Sequence, residues 1–173
     1  MILAVGRFSE QKDYPNLLHA FKTLKNKSTE DIKLIIAGDG ELRSEIEKII
    51  DELGLKQDIH LLGRRNDIPD LMSAADLFVL SSKYEGFGLV VAEAMACKTL
   101  VVATDCGGVA EVLNSDQFLA PPSNSNVLAE KMYYALTLSQ EEKNKNIIKN
   151  LCHIEKNFSL EKIIEKSIYL YDK

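Results

Sequence analysis

The most constraining feature of this sequence is a repeated alternation. Short apolar, β-branched runs are each followed by an amphipathic stretch of helical length. A chain patterned in this way builds βα units, and successive βα units assemble into a parallel sheet with helices on its faces. The spacing predicts strands over residues 2–5, 33–37, 59–62, 77–80 and 100–103, with a weaker one near 117–119. Helices are expected over 14–24, 41–53, 68–74, 88–97 and 126–138, followed by a helical tail from 140 to the neighbourhood of Tyr171. Asp67 stands where it can cap the third helix, with Pro69 tolerated in its first turn and Asp70 suited to its dipole. The fold class is therefore α/β, a Rossmann-like parallel β-sheet flanked by helices.

At 173 residues, 46% of them hydrophobic, the chain suits one domain spanning 1–173. Its 21 Lys plus Arg are outnumbered by 26 Asp plus Glu, and no basic cluster suggests a nucleic-acid partner. The most basic region, 143–173, mixes Lys with Glu and Asp and reads as solvated helix surface. Cys97, Cys106 and Cys152 have neither metal-site spacing nor the even count of a disulfide framework, so a reduced, cytoplasmic setting is expected. Neither a signal peptide nor a membrane-length apolar run is visible. The chain begins already inside an apolar strand, as natural domains can and as an internal fragment cut at a domain boundary would.

In open sheets of this class, ligands bind beyond the carboxyl ends of the strands, so chemistry is sought in the loops that follow them. The loop after the first strand carries Gly6, Arg7 and Lys12. Two cations there suit a phosphate or diphosphate, or are ordinary solvated residues. The loop after the fourth strand reads Ser82-Lys-Tyr-Glu-Gly-Phe-Gly88 and runs into a helix. Its glycines admit close backbone approach, and the free amides around Gly88, Leu89 and Val90 favour an anion. The loop has neither a Walker sequence nor a dinucleotide fingerprint, and Gly38-Asp-Gly40 reads as a tight turn. Glu93 lies in a helix otherwise apolar from Leu89 to Ala96, which predicts a carboxylate buried nearly all round. It would need sugar hydroxyls, or an internal salt bridge to Arg7 or Lys12. Arg64, Arg65 and Asn66, and the stretch from Thr104 to Glu111 with its Gly107-Gly108, converge on the same edge or form plain turns. His19, His60 and His153 fall within expected helices and strands and read as structural.

Taken in order, these residues resemble a known family. Glu85-Gly-Phe-Gly-Leu-Val-Val-Ala-Glu93 matches the Glu-x7-Glu motif of retaining glycosyltransferases. Val5-Gly-Arg-Phe with Lys12, the segments 37–43 and 62–64, and Gly-Gly-x-x-Glu at 107–111 follow in the family's order. Over essentially its full length the chain resembles the carboxyl-terminal, donor-binding half of a glycosyltransferase family 4 (group 1) enzyme with the GT-B fold. The resemblance implies a UDP- or GDP-linked sugar as donor, with Arg7 and Lys12 on the diphosphate, Glu93 on the ribose and Glu85 on the donor sugar. Leu89 and Val90 amides would touch phosphate, the base would rest near Arg64 to Asn66, and Gly6, Gly86, Phe87 and Gly88 would line the donor site. Arg7, Lys12 and Glu85 are the implied catalytic residues, and neither metal nor cofactor is implied.

The resemblance implies an amino-terminal acceptor domain that is missing from this chain, and so donor binding with little transfer. The implied partners are that missing domain and an acceptor sugar or lipid-linked glycan, with the full enzyme peripheral to the inner membrane face. Lys98 and Leu100 replace a common Gly and Pro, which predicts a helix ending without its left-handed cap. Two other classes remain open on the residues: a non-catalytic nucleotide-binding or scaffold module, and a Rossmann oxidoreductase.

Overall fold

A strand buried on both faces must be apolar at every position rather than at alternate ones, and this rule decides which runs form the centre of the sheet. In the computed structural model, which describes residues 1–158, β4 (Leu77–Leu80) and β5 (Val101–Thr104) are buried throughout. β1 (Ile2–Val5) is buried except at its last residue. They are joined by β2 (Leu34–Ala37), β3 (Ile59–Gly63) and a two-residue β6 (Leu119–Ala120). All adjacent pairs are parallel, in the order β3-β2-β1-β4-β5-β6. The chain starts at the centre, winds outward to β3, then returns to the other side of β1 to begin β4. The order of winding therefore reverses between β1 and β4.

Helices cover both faces. α1 (Tyr14–Lys27) packs against α2 (Arg43–Glu52) and α6 (Ser125–Thr137). On the other face α4 (Leu89–Ala96) packs against α3 (Ile68–Ala74), α5 (Val109–Leu113) and α7 (Gln140–Phe158). Phe21, Phe78 and Phe118 are fully buried in the resulting core, each burial contributing roughly 1.5–3 kcal/mol.

The expected elements are present with boundary shifts of a few residues, and four differences have physical causes. α5 was not expected, because five residues behind a Gly-Gly pair show too little periodicity. Its Val109, Val112 and Leu113 are nonetheless buried. The sixth strand falls at Leu119–Ala120, after a short 3-10 turn over Asp116–Phe118. Asp67 stands at the N-cap of α3 without a side-chain capping bond, because its carboxylate accepts from Arg65 Nε at 2.8 Å instead. The expected tail beyond residue 158 lies outside the described residues.

The fourth difference is at the end of α4, which does carry a left-handed cap. Lys98 supplies it at φ 61°. Its N–H donates to Met95 O at 3.0 Å, and Thr99 N–H donates to Ala94 O at 3.1 Å. These are the two bonds of a Schellman ending, made without the usual glycine.

At the opposite edge of the sheet Asp58, just before β3, ties three elements together. Its Oδ1 accepts from Lys25 Nζ of α1 at 2.7 Å and from Lys33 Nζ, just before β2, at 2.8 Å. Lys25 first and Lys33 second hold its carboxyl below the ordinary range. A depressed carboxylate stabilises the fold above its unfolded pKa, and that contribution disappears as pH falls through the folded value. Urea unfolding should therefore find Asp58→Asn less stable than the parent at neutral pH, with the difference closing below about pH 4. Lys98→Gly should raise stability by roughly 0.5–1 kcal/mol, since relief of left-handed strain exceeds the added entropy of the unfolded chain.

Candidate functional site

The reversal of strand order separates the loops after β1 and β4, and Lys12 and Glu85, both singled out in the sequence, meet across that gap. Arg7 leaves β1 with its side chain 74% exposed. Its Nε and Nη2 each lie 3.1 Å from Glu41 Oε2, in the turn ahead of α2. The Glu41 carboxyl is held below its usual range, first by its own backbone N–H and then by the Arg7 charge. Lys12 ends a 3-10 turn just before α1 and is 17% exposed.

Lys12 is engaged directly by Glu85, only 10% exposed, whose Oε1 stands 2.6 Å from Lys12 Nζ. The same oxygen accepts from Ser82 Oγ at 2.7 Å, while Oε2 has the Gln11 amide at 3.4 Å. Gln11 also donates to the Tyr84 carbonyl at 3.1 Å, and Ser81 Oγ donates to the Lys12 carbonyl at 2.8 Å. Below them Thr104 Oγ1 at the end of β5 donates to the Ser82 carbonyl at 2.6 Å. The β1, β4 and β5 loops are thus stitched together around one carboxylate. Nearby, burial pushes the Cys106 thiol and the Tyr14 hydroxyl above their ordinary ranges, and Tyr14 donates to the Gly6 carbonyl at 3.0 Å.

Ser82, Gln11 and Glu41 were missed by sequence reasoning. Glu41 lay inside the motif-bearing segment 37–43, but its pairing across 34 residues with Arg7 leaves no local trace. For Ser82 the signal available was its place three residues before Glu85.

Beyond Glu85 the chain turns through Gly86, Phe87 and Gly88 into α4. Phe87 is partly exposed and stands edge-on to Phe158 of α7, with ring centroids 5.3 Å apart. Gly88 is the N-cap of α4 at φ 77° and offers no side-chain cap. The first amides of the helix, Leu89 and Val90, are therefore left without a capping side chain at the positive end of the dipole.

The expectation that Glu93 is buried is not met. Val91, Ala94 and Met95 carry the buried side of α4, whereas Leu89, Glu93 and Ala96 share an exposed face. Nor does Glu93 form a salt bridge to Arg7 or Lys12, which are held by Glu41 and Glu85. Arg64 and Asn66 stand together on the β3 side, where with Gly6, Arg7 and Gly38 they wall an open cleft of about 450 Å³.

Close backbone contact keeps these loops in register. Gly38 lies so near Gly6 that an added Cβ would stand 1.9 Å from the Gly6 carbonyl oxygen. Gly107, at φ 56°, approaches the carbonyl of Glu85 equally closely, and Gly108 N–H donates to Gly86 O at 3.0 Å.

A parallel sheet that reverses its winding between β1 and β4, with helices on both faces, defines a Rossmann-like α/β domain. Residues 1–151 match the model of the glycosyl transferases group 1, and the chain belongs to that family. It is 34% identical over 152 residues to a Campylobacter jejuni relative, N-acetylgalactosamine-N,N'-diacetylbacillosaminyl-diphospho-undecaprenol 4-alpha-N-acetylgalactosaminyltransferase. That match covers 86% of this chain and 40% of the relative, so the chain spans less than half of such proteins. The Anabaena HepE structure with UDP and glucose superposes with a TM-score of 0.85 at 28% identity, covering 99% of this chain and 48% of HepE. The C-terminal domain of a glycosyl transferase group 1 protein, LpcC of Francisella tularensis, shares the fold at TM-score 0.80 and 24% identity, covering 92% of this chain and 86% of that one. The sheet and its helices match glycosyltransferases of the GT-B fold.

Gly107→Ala should destabilise the protein by about 2 kcal/mol or more, combining left-handed strain with displacement of the Glu85 loop. Urea denaturation measures the loss, which should exceed that of Gly54→Ala, whose Cβ meets nothing within 4 Å.

Proposed function

We propose that this chain is the donor-binding half of a retaining glycosyltransferase of family 4 that moves a hexose from a UDP- or GDP-linked sugar to an acceptor. The reading rests on one observation. The Lys12–Glu85 pair joins the loops after β1 and β4 where the sheet reverses, three residues ahead of the uncapped start of α4. That is where open α/β sheets bind nucleotides.

In this reading Arg7 and Lys12 hold the diphosphate, and the Leu89 and Val90 amides receive a phosphate oxygen. Glu93, on the exposed face of α4, accepts from vicinal ribose hydroxyls, while Glu85 faces the donor sugar. Gly6, Gly86, Phe87 and Gly88 line the donor, and the base enters the cleft beside Arg64 and Asn66. As the bond from the anomeric carbon to the phosphate oxygen breaks, negative charge grows on the departing diphosphate. In this reading the two cations and the helix terminus lower its energy. The reading assigns no step to a metal ion.

The HepE complex with UDP and glucose supports the donor class. The diphospho-undecaprenol in the name of the Campylobacter relative supports a lipid-linked glycan as acceptor, and with it a full enzyme resting on the cytoplasmic membrane face. Among the described residues no helix is long and apolar enough to cross a membrane. The acceptor site and the rest of the cleft then belong to an amino-terminal domain, and this chain alone binds donor without efficient transfer.

Calorimetry should find binding of UDP or GDP, unchanged in EDTA. Arg7→Ala should weaken it by roughly 10-fold or more and Glu93→Ala by about 10-fold, as expected for loss of a charged hydrogen bond. Absence of nucleotide binding, or variants that bind like the parent, would remove the reading.

A further inference from the structure

Neither candidate phosphate cation is free in this structure. Lys12 Nζ sits 2.6 Å from Glu85 Oε1, and Arg7 places Nε and Nη2 3.1 Å from Glu41 Oε2. A diphosphate entering the gap meets two neutral pairs rather than two bare charges. We propose that Glu85 and Glu41 are internal counter-ions of the diphosphate site, which hold Lys12 and Arg7 in the free protein and yield them to the ligand. The proposal rests on the donor-binding reading above.

The two carboxylates fare differently once their cations are exchanged. Glu41 and Arg7 are both half or more exposed, so water receives the displaced Glu41 carboxylate at little expense. Glu85 is enclosed, and it keeps only Ser82 Oγ on Oε1 and the more distant Gln11 amide near Oε2 once Lys12 turns away. An enclosed carboxylate short of donors beside a diphosphate is unfavourable. Sugar hydroxyls on the same ligand supply the missing donors. A complete donor therefore satisfies both the cation and the carboxylate, whereas the sugar-free diphosphate takes Lys12 and leaves Glu85 underpaired. Diphosphate recognition and sugar recognition are coupled through one side chain, and the coupling favours release of the spent nucleotide. If Lys12 bridges carboxylate and phosphate instead of leaving Glu85, the two anions face each other and the sign of the effect is the same.

The test uses ligands without sugar. UDP, GDP and inorganic pyrophosphate are titrated by calorimetry into the parent, Glu85→Gln and Glu41→Gln, with thermal melting to confirm that each variant is folded. Removing either counter-ion should raise affinity for the nucleotide that binds by about threefold or more, the effect being larger for the enclosed Glu85. Glu41→Gln, at an exposed position, keeps the test open if Glu85→Gln fails to fold. Affinity unchanged or weakened in a folded variant would overturn the counter-ion role of that residue, while nucleotide binding that is lost in Arg7→Ala would leave the donor reading intact. If neither the parent nor the variants bind any of the three ligands, the donor reading itself falls.

Discussion

The parallel course of the six strands is the constraint that governs everything else in the molecule. With helices on both faces, the central strands must be apolar at nearly every position. Polar groups are left to the loops, and parallel strands deliver all their exit loops to a single edge. Beginning the chain at the central strand and winding outward both ways then opens a gap in that edge between β1 and β4. Lys12 and Glu85 meet across it because the loops after β1 and β4 carry them there.

Holding the loops in register takes hydrogen bonds and backbone contact as well as the burial of Phe8 in the loop after β1. Thr104 at the end of β5 fixes the Ser82 carbonyl, Ser82 fixes Glu85, and Glu85 fixes Lys12 in the loop after β1. Gly107 allows the β5 loop to lie against the Glu85 backbone. Each link is polar and short, so the site is fixed at several atoms although its walls are open to solvent. Such a scaffold holds charge in position before a ligand arrives, the condition under which electrostatic stabilisation is most effective.

Much of this was legible in the sequence, and the exceptions share a cause. The strands were readable because double-sided burial writes itself as uninterrupted Val, Ile and Leu. Arg7, Lys12 and Glu85 were readable as charges in loops following strands. Their partners were not, since Lys12 and Glu85 lie 73 positions apart and nothing local encodes the contact. Glu93 was misread for a related reason: an all-apolar helix signals burial, but Leu89 and Ala96 accompany Glu93 on a face the described structure leaves open. Lys98 shows the reverse case, because the packing of α4 imposes a left-handed ending on a residue that does not favour it.

The charge arrangement bears on how such a site can be both receptive and releasing. Two bare cations and a helix terminus would bind any diphosphate tightly, and the spent nucleotide as well as the donor. Under the counter-ion proposal, pairing each cation with a carboxylate lowers the affinity for diphosphate alone. Enclosing one of those carboxylates where the sugar would lie makes the loss recoverable only by a ligand that carries hydroxyl groups. Under the counter-ion proposal, selectivity for the complete donor arises from the relief of an internal pair, and a residue proposed to face the sugar influences affinity for the phosphate.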